Sequence, residues 1–460
     1  LQRGSLDISA LKDEEAMDIE DKISKIKDLL RARSINAFEI FGSVMDSIDV
    51  ESKNKDVSSL DRCSESGIGL RVLIDGGMGF AYGADPSTEL IDAAIQSAKN
   101  QFKDKDNVIP QTNNGYTKTS ICDKKVLDAT VDDCIKMAIQ LELASREEDE
   151  RIAQVRRASY SRCIGGLYIV NSNGIEISNT YTQVNASIMA MAKDSKDAQA
   201  GFDSDLSHYW DGIDVVQVGK RAAAQAIQML GARRITTTRI PILFDNMVAA
   251  QMLEFMSDAF LGENVIKGKS FLADKLGKKP FSSNITIFDN PLDPRAKDAH
   301  CFDGEGIPSR KTALVDRGVV SNFVYDTYWG RVANKASTGN SLRTSYRQPP
   351  SLGIRHLCMY PPSEKPNVLT HTLKELKQVL KITDIMGMHT ADTISGEFSI
   401  GVDGLLIEDG NIRYPVREAA IAGNVCELFS KVLAIGDDVR EFGQVLTPSV
   451  LIDKMDVSAE

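Results

Sequence analysis

The sequence predicts an α+β fold, with two small α/β units followed by a large strand-rich C-terminal domain. Three observations point there. Strand-like runs outnumber helical ones and are joined by short turns, so neighbouring strands run antiparallel. A chain of 460 residues exceeds one ordinary core and divides here into units at 17–103, 120–232 and 233–460, with a polar linker at 104–119. A 42% hydrophobic and 26% charged composition is that of a globular protein.

The first unit opens with a helix over Ile19–Arg31, where Ile23, Ile26, Leu29 and Leu30 recur at helical spacing. A strand follows over Ala37–Val50. In Gly67–Tyr82 the alternation of Ile68, Leu70, Val72 and Ile74 marks a half-buried strand, and Asp75-Gly76-Gly77 a tight hairpin turn that needs glycine. A nucleotide-binding loop is the competing reading. It requires the glycines to lie between a strand and a helix, whereas a second strand over Gly79–Gly83 intervenes. The next helix starts at Pro86, capped by Asp85 with Glu89 in its first turn.

The second unit carries a helix over Val131–Arg146, strands over Ile152–Arg162 and Gly166–Val170, and a turn at Asn171–Gly174. A long strand then runs to Ala192, and a helix over Val215–Leu230 closes the unit. Beyond Arg234 strands are expected at Ile240–Phe244, Asn284–Phe288, Lys311–Val315, Val319–Tyr325, Leu405–Ile407, Ile412–Val416 and Ser449–Met455. Helices are expected at Met247–Leu261, Leu373–Ile382 and Asn424–Ala434.

The net charge of −11 argues against direct nucleic-acid contact, because a phosphate-binding face needs clustered Lys and Arg. Arg233-Arg234 and Lys278-Lys279 read as solvated surface. No apolar run reaches the roughly 20 residues of a membrane helix, so no membrane role is expected. Leu1–Glu20 is polar and acidic, without the apolar core of a secretory signal. Cys63, Cys122, Cys134, Cys163, Cys301, Cys358 and Cys426 are odd in number, scattered and free of CxxC spacing, which suits reduced thiols in the cytoplasm.

Several ordered motifs lie in the C-terminal half: Phe302-Asp303-Gly304-Glu305-Gly306-Ile307-Pro308, Ser337-Thr338-Gly339-Asn340, Ser395-Gly396-Glu397-Phe398-Ser399, Ile421-Ala422-Gly423-Asn424 and Thr447-Pro448-Ser449. With the Gly67–Gly83 hairpin and the Asp85–Glu89 helix start, they resemble the TldD/PmbA peptidase family, specifically its PmbA/TldE branch. The third motif departs from the family's TGDFS, with Ser and Glu in place of Thr and Asp. The resemblance implies a curved, mostly antiparallel sheet in the C-terminal domain. For TldD-type subunits it implies an HExxxH helix that holds zinc, where three protein ligands leave one position open for water. The equivalent helix here is expected at Met247–Leu261, which contains no His and no Cys. Its polar positions Gln251, Glu254 and Asp258 suit a solvated face opposite Val248, Met252, Phe255 and Ala259.

No metal or other cofactor is therefore expected, and no catalytic residue is assigned. His208, His300, His356, His371 and His389 are far apart, and any site that gathered them would leave no mark in the sequence. Neither the adjacent pair His300-Cys301 nor the set His389, Asp392 and Ser395 has the spacing of a catalytic nucleophile and its base. Candidate peptide or partner contacts are Asp303, Glu305, Asn340, His389, Glu397 and Ser399.

The function implied is that of a non-catalytic subunit in a homo- or hetero-oligomer. It would dock to a TldD-type zinc peptidase and help enclose unfolded peptides during proteolysis or peptide maturation. The alternatives are an autonomous hydrolase with an unrecognised metal or cysteine centre, and a binding module of the gyrase-modulator type.

Overall fold

The computed structural model describes residues 14–459 apart from 112–114, 118, 120, 298 and 362–367. Most of the polar segment that opens the chain, residues 1–13, lies outside the described residues.

Helix α1 (Glu14–Ala32) leads into β1 (Phe38–Lys53), β2 (Asp56–Ile74) and β3 (Gly77–Gly83). Helices α2 (Thr88–Asn100), α3 (Lys124–Asp128) and α4 (Val131–Arg146) precede β4 (Ile152–Asn171), β5 (Glu176–Lys193) and β6 (Ala198–Ser207), and α5 (Val215–Gln228) follows. The six strands form one antiparallel sheet in the order β3-β2-β1-β4-β5-β6. Strand β1 is flanked on both sides, with Ile40 opposite Leu70 in β2 and Val170 in β4, so a single sheet crosses the boundary drawn at 104–119.

Strand alternation gives this sheet two distinct faces. Ile40, Val44, Leu70, Ile164 and Tyr168 pack under α1 and α2, while Ile48, Tyr160, Ala186 and Ile188 pack under α4 and α5. Phe41 and Ile169 point the other way, onto Phe302 and Tyr346 of the C-terminal region.

The hairpin turn forms as expected, with positive φ at Asp75 (47°) and Gly76 (84°) between the paired Ile74 and Gly77. Gly77 has a different reason to be small: a Cβ there would sit 2.1 Å from the Ala98 carbonyl oxygen, where α2 crosses the strand. The cap of α2 is Ser87 and not Asp85, because the helix begins at Thr88 and the Ser87 hydroxyl accepts from the Leu90 amide at 3.2 Å. The described part of the 104–119 stretch is docked on the fold. Asp104 N–H donates to Gly76 O at 2.9 Å, and Tyr116 Oη–H to Gly306 O at 2.8 Å.

The C-terminal region contains β7 (Thr238–Phe244), α6 (Asn246–Ser257), α7 (Gly262–Ile266), β8 (Ile287–Asp289), β9 (Thr312–Asp316) and β10 (Val319–Val320). Next come α8 (Thr327–Val332), β11 (Ser341–Leu342), β12 (Ser351–Leu352), β13 (Leu357–Met359), α9 (Val368–Glu375) and β14 (Gln378–Met386). The chain ends through β15 (Glu397–Glu408), β16 (Asn411–Asn424), α10 (Val425–Ser430), β17 (Val432–Ile435), β18 (Arg440–Phe442), β19 (Val445–Thr447) and β20 (Val450–Ala459).

One six-stranded sheet runs β10-β9-β8-β13-β19-β18 and another β16-β15-β14-β7-β20-β17. The second curls until β16 also pairs with β20, and only its β14–β7 contact is parallel. The overall class is α+β with a curved, strand-rich C-terminal part, as the sequence predicts. Helix α6 packs against β13, β18 and β19 on one side and β7 and β14 on the other.

Several expected elements differ; the strands expected at Ile152–Arg162 and Gly166–Val170, for one, are the single strand β4. Leu373–Ile382 is not one helix: α9 stops at Glu375 and Gln378 begins β14, because this segment fills the slot between β7 and β15. Asn424–Ala434 splits likewise, since Val432–Ile435 pairs with β20. The strand expected at Val319–Tyr325 keeps only Val319–Val320 in a ladder, while Phe323, Val324 and Tyr325 enter the core from a loop. No described helix is long and apolar enough to cross a membrane.

Candidate functional site

The motif Phe302–Pro308 folds into a turn with Gly306 at φ 78° and an Asp303 N–H to Ile307 O bond of 2.8 Å. Asp303 is 2% exposed and holds the turn together. Its Oδ1 accepts from the Glu305 and Ile307 amides at 2.9 Å each, and its Oδ2 from the Ser341 amide at 3.0 Å. Burial and the neighbouring Glu305 charge lift its carboxyl to about 7.

Glu305, 4% exposed, accepts from Arg71 at 3.1 Å and from the Thr327 amide at 3.1 Å. Arg71 also donates through Nε to Glu39 at 3.0 Å, and Arg343 donates to the same carboxylate at 2.6 Å. Burial alone would raise Glu39, but the two guanidiniums outweigh it and hold the carboxyl below its usual range. Arg343 lies over the Phe41 ring at 4.3 Å, and burial brings it down to about 10. Asp326 caps α8 by accepting from the Trp329 amide at 2.8 Å; burial and the Glu305 charge lift it to about 7.

Of these groups Arg71, Glu305 and Asp326 form one side of a cavity of about 430 Å³ between the N-terminal sheet and the C-terminal region, lined also by Phe80, Tyr328 and Trp329 among others. No His or Cys lines it among the described residues. Buried carboxylates beside a guanidinium can hydrogen-bond polar main-chain groups, and the aromatic walls can hold apolar side chains. The N-terminal glycines make this junction possible. A Cβ on Gly67 would sit 2.3 Å from the Tyr346 ring, so the missing side chain admits a residue from the C-terminal region.

Asn340 is interior as well, at 1% exposed, donating to Asp289 and to Gly353 O while accepting from Thr338 Oγ1 at 2.7 Å. Asp303, Glu305 and Asn340 thus spend their described hydrogen bonds on the protein itself, because the two motifs interlock through the Asp303–Ser341 bond. His389, Glu397 and Ser399 are exposed and lie apart from this cluster, in the segment that enters β15. Ser395 Oγ–H donates to Asp392 at 2.9 Å and not to His389. His300 Nδ1 meets the Asn179 side-chain amide at 2.7 Å. Sequence reading missed Arg71, Glu39, Arg343 and Asp326. The one legible signal was Arg71, a charge inside an otherwise apolar strand.

Profiles of the PmbA/TldA metallopeptidases match three successive stretches: domain 1 at residues 38–101, the central domain at 124–230 and the C-terminal domain at 237–459. The chain belongs to the PmbA/TldD family. It is 25% identical to the metalloprotease PmbA homolog of Haemophilus influenzae over 440 residues, covering 91% of this chain and 92% of that one. It is 23% identical to the metalloprotease PmbA of Escherichia coli O157:H7, covering 96% of each. Among solved structures, TldE from Thermococcus kodakarensis aligns with a TM-score of 0.86 and 20% identity over 95% of this chain and 100% of that chain. A Thermotoga maritima chain described as a candidate modulator of a DNA gyrase aligns equally well, at TM-score 0.86 and 24% identity, with the same coverage. Both structural likenesses speak to the fold.

The zinc that the family resemblance implies for TldD-type helices does not fit α6. Val248, Ala249, Ala250, Met252, Leu253 and Met256 of this helix are buried in the apolar core, and its carboxylate Glu254 faces solvent. A helix sandwiched between two sheets is apolar nearly all round, and α6 offers no imidazole or thiolate ligand.

Proposed function

We propose that the chain is a PmbA/TldE-type subunit of a TldD/TldE-type metallopeptidase complex, contributing to peptide enclosure but not to bond cleavage. The observation that carries this reading is α6, whose inward positions are all apolar where a zinc helix would need histidines. Family membership supports the setting in proteolysis or peptide maturation. The exposed His389, Glu397 and Ser399 are proposed as contacts to a TldD-type partner or to a peptide, and Arg71, Glu305 and Asp326 as the polar side of a peptide-holding cavity. Scattered unpaired thiols suit the cytoplasm.

A peptidase assay of the purified chain, alone and mixed with a TldD-type partner, tests the proposal. The expected result is no cleavage alone and cleavage in the mixture that exceeds that of the partner by itself. Chelator-sensitive peptidase activity of the isolated chain would overturn it.

A further inference from the structure

We propose that Asp293, His356 and Cys358 form a binding site for a single zinc-type divalent cation, with Glu441 as the fourth ligand. The site is independent of the peptidase reading and lies away from α6. Strand β13 sends Leu357 and Met359 into the core that α6 fills, so Cys358, between them, points to the opposite face. His356 immediately precedes that strand. Asp293 comes from the turn after β8, and Glu441 from β18 in the same sheet.

One ligand atom from each of Asp293, His356 and Cys358 lies within 4.8 Å of the other two. Zinc bonds of about 2.0–2.3 Å require such atoms to close in by roughly an ångström, which side-chain rotation supplies. His356 is completely buried, yet neither of its ring nitrogens has a hydrogen-bond partner among the described residues. Glu441 Oε1 is likewise unpartnered and stands 3.8 Å from His356 Nδ1, too far for a hydrogen bond. Native interiors rarely leave such groups bare, and a cation between them would satisfy Glu441 Oε1 and one of the two His356 nitrogens.

The remaining neighbours have the roles of outer-shell partners. Arg295 donates to Asp293 Oδ1 through its amide at 3.0 Å and Nε at 2.9 Å and to Oδ2 through Nη2 at 2.8 Å, and Tyr360 Oη–H donates to Oδ2 at 2.9 Å, which fixes the carboxylate in place. Charge also balances. Two carboxylates and a thiolate around a divalent ion leave one negative charge, which the Arg295 guanidinium offsets. The mixture of thiolate, imidazole and carboxylate selects a zinc-like ion over calcium or magnesium, which take oxygen ligands.

The test uses the full chain, stripped of metal, loaded with Zn(II) and freed of excess by gel filtration. About one zinc per chain is expected, unchanged in Glu254→Ala on α6. Cys358→Ser and His356→Asn should each weaken zinc binding beyond the roughly 10–100-fold that an outer-shell change costs. Loading with Co(II) should give thiolate-to-cobalt charge-transfer absorption in the wild type, absent in Cys358→Ser. If either variant fails to fold, the wild-type cobalt spectrum decides alone. A chain that retains no zinc, a cobalt spectrum without the thiolate band, or zinc loading that survives both substitutions overturns the site.

Discussion

Arg71 Nη1 lies 3.1 Å from Glu305 Oε1, joining a strand of the N-terminal sheet to the turn at Phe302–Pro308 through a pair that is buried on both sides. Removing one partner of such a pair strands the other charge in the interior. Arg71→Met should therefore cost about 3–5 kcal/mol in a urea titration, since it leaves Glu39 and Glu305 without their shared cation. Adding Glu305→Gln to that background should recover part of the loss. An Arg71→Met chain as stable as the wild type would show that the network does not hold the two parts together.

Asp326 predicts a pH dependence. Its folded carboxyl is raised to about 7 from an ordinary 3.8, so the folded state binds more protons than the unfolded state between those values. Stability from this group is present below about pH 4 and is lost as pH rises towards 7. Asp326→Asn can keep the cap on Trp329 and removes the titration. Relative to the wild type, the variant should gain stability from pH 5 to pH 8 in denaturant midpoints. A constant difference across that range would refute the assignment.

Two glycines of the hairpin region should respond for different reasons. Gly76→Val places a β-branched residue at φ 84° and should destabilise by strain, with no nucleotide binding in either form. Gly67→Ala should cost about 1–3 kcal/mol by overpacking against Tyr346. In a Tyr346→Ala background the Gly67→Ala change should cost close to nothing, a coupling that thermal melts of the double-mutant cycle would read.

On α6, Glu254 is solvated whereas Phe255 packs against the core. Glu254→Ala should leave the activity of a complex with a TldD-type partner intact. Phe255→Asp should unfold the C-terminal region by forcing a charge towards that core, visible as lost near-ultraviolet circular dichroism.

How far the sequence carried depended on how local the governing contacts are. Val131–Arg146 was legible to the residue because Thr130 and Asp133 form a reciprocal capping box at its start. Strand β14 was misread because Leu373, Leu376 and Leu380 have helical spacing, and only the distant β7 and β15 make the second half of that run a strand. Strand β6 was missed since Asp203 and Asp205 break its apolar pattern; Arg221 and Arg440, from α5 and β18, supply their charge partners. The motifs around Asp303 and Asn340 were legible as motifs, but their burial was not, because it depends on their mutual interlock. Asp293, His356 and Glu441 lie on separate segments, and nothing in their spacing announces that they meet.

The seam between β1 and β4 sets the order in which this protein can become itself during synthesis. Strand β1 emerges from the ribosome with β2 as its first partner, but its other edge stays open until the chain has been made as far as Asn171, which pairs with Glu39. Through that interval the nascent chain carries a 16-residue strand with one unsatisfied ladder, a template for wrong pairing. A chain interrupted between the two strands would carry at most α1 to α4 and the strands β1, β2 and β3, with β1 left as an open edge.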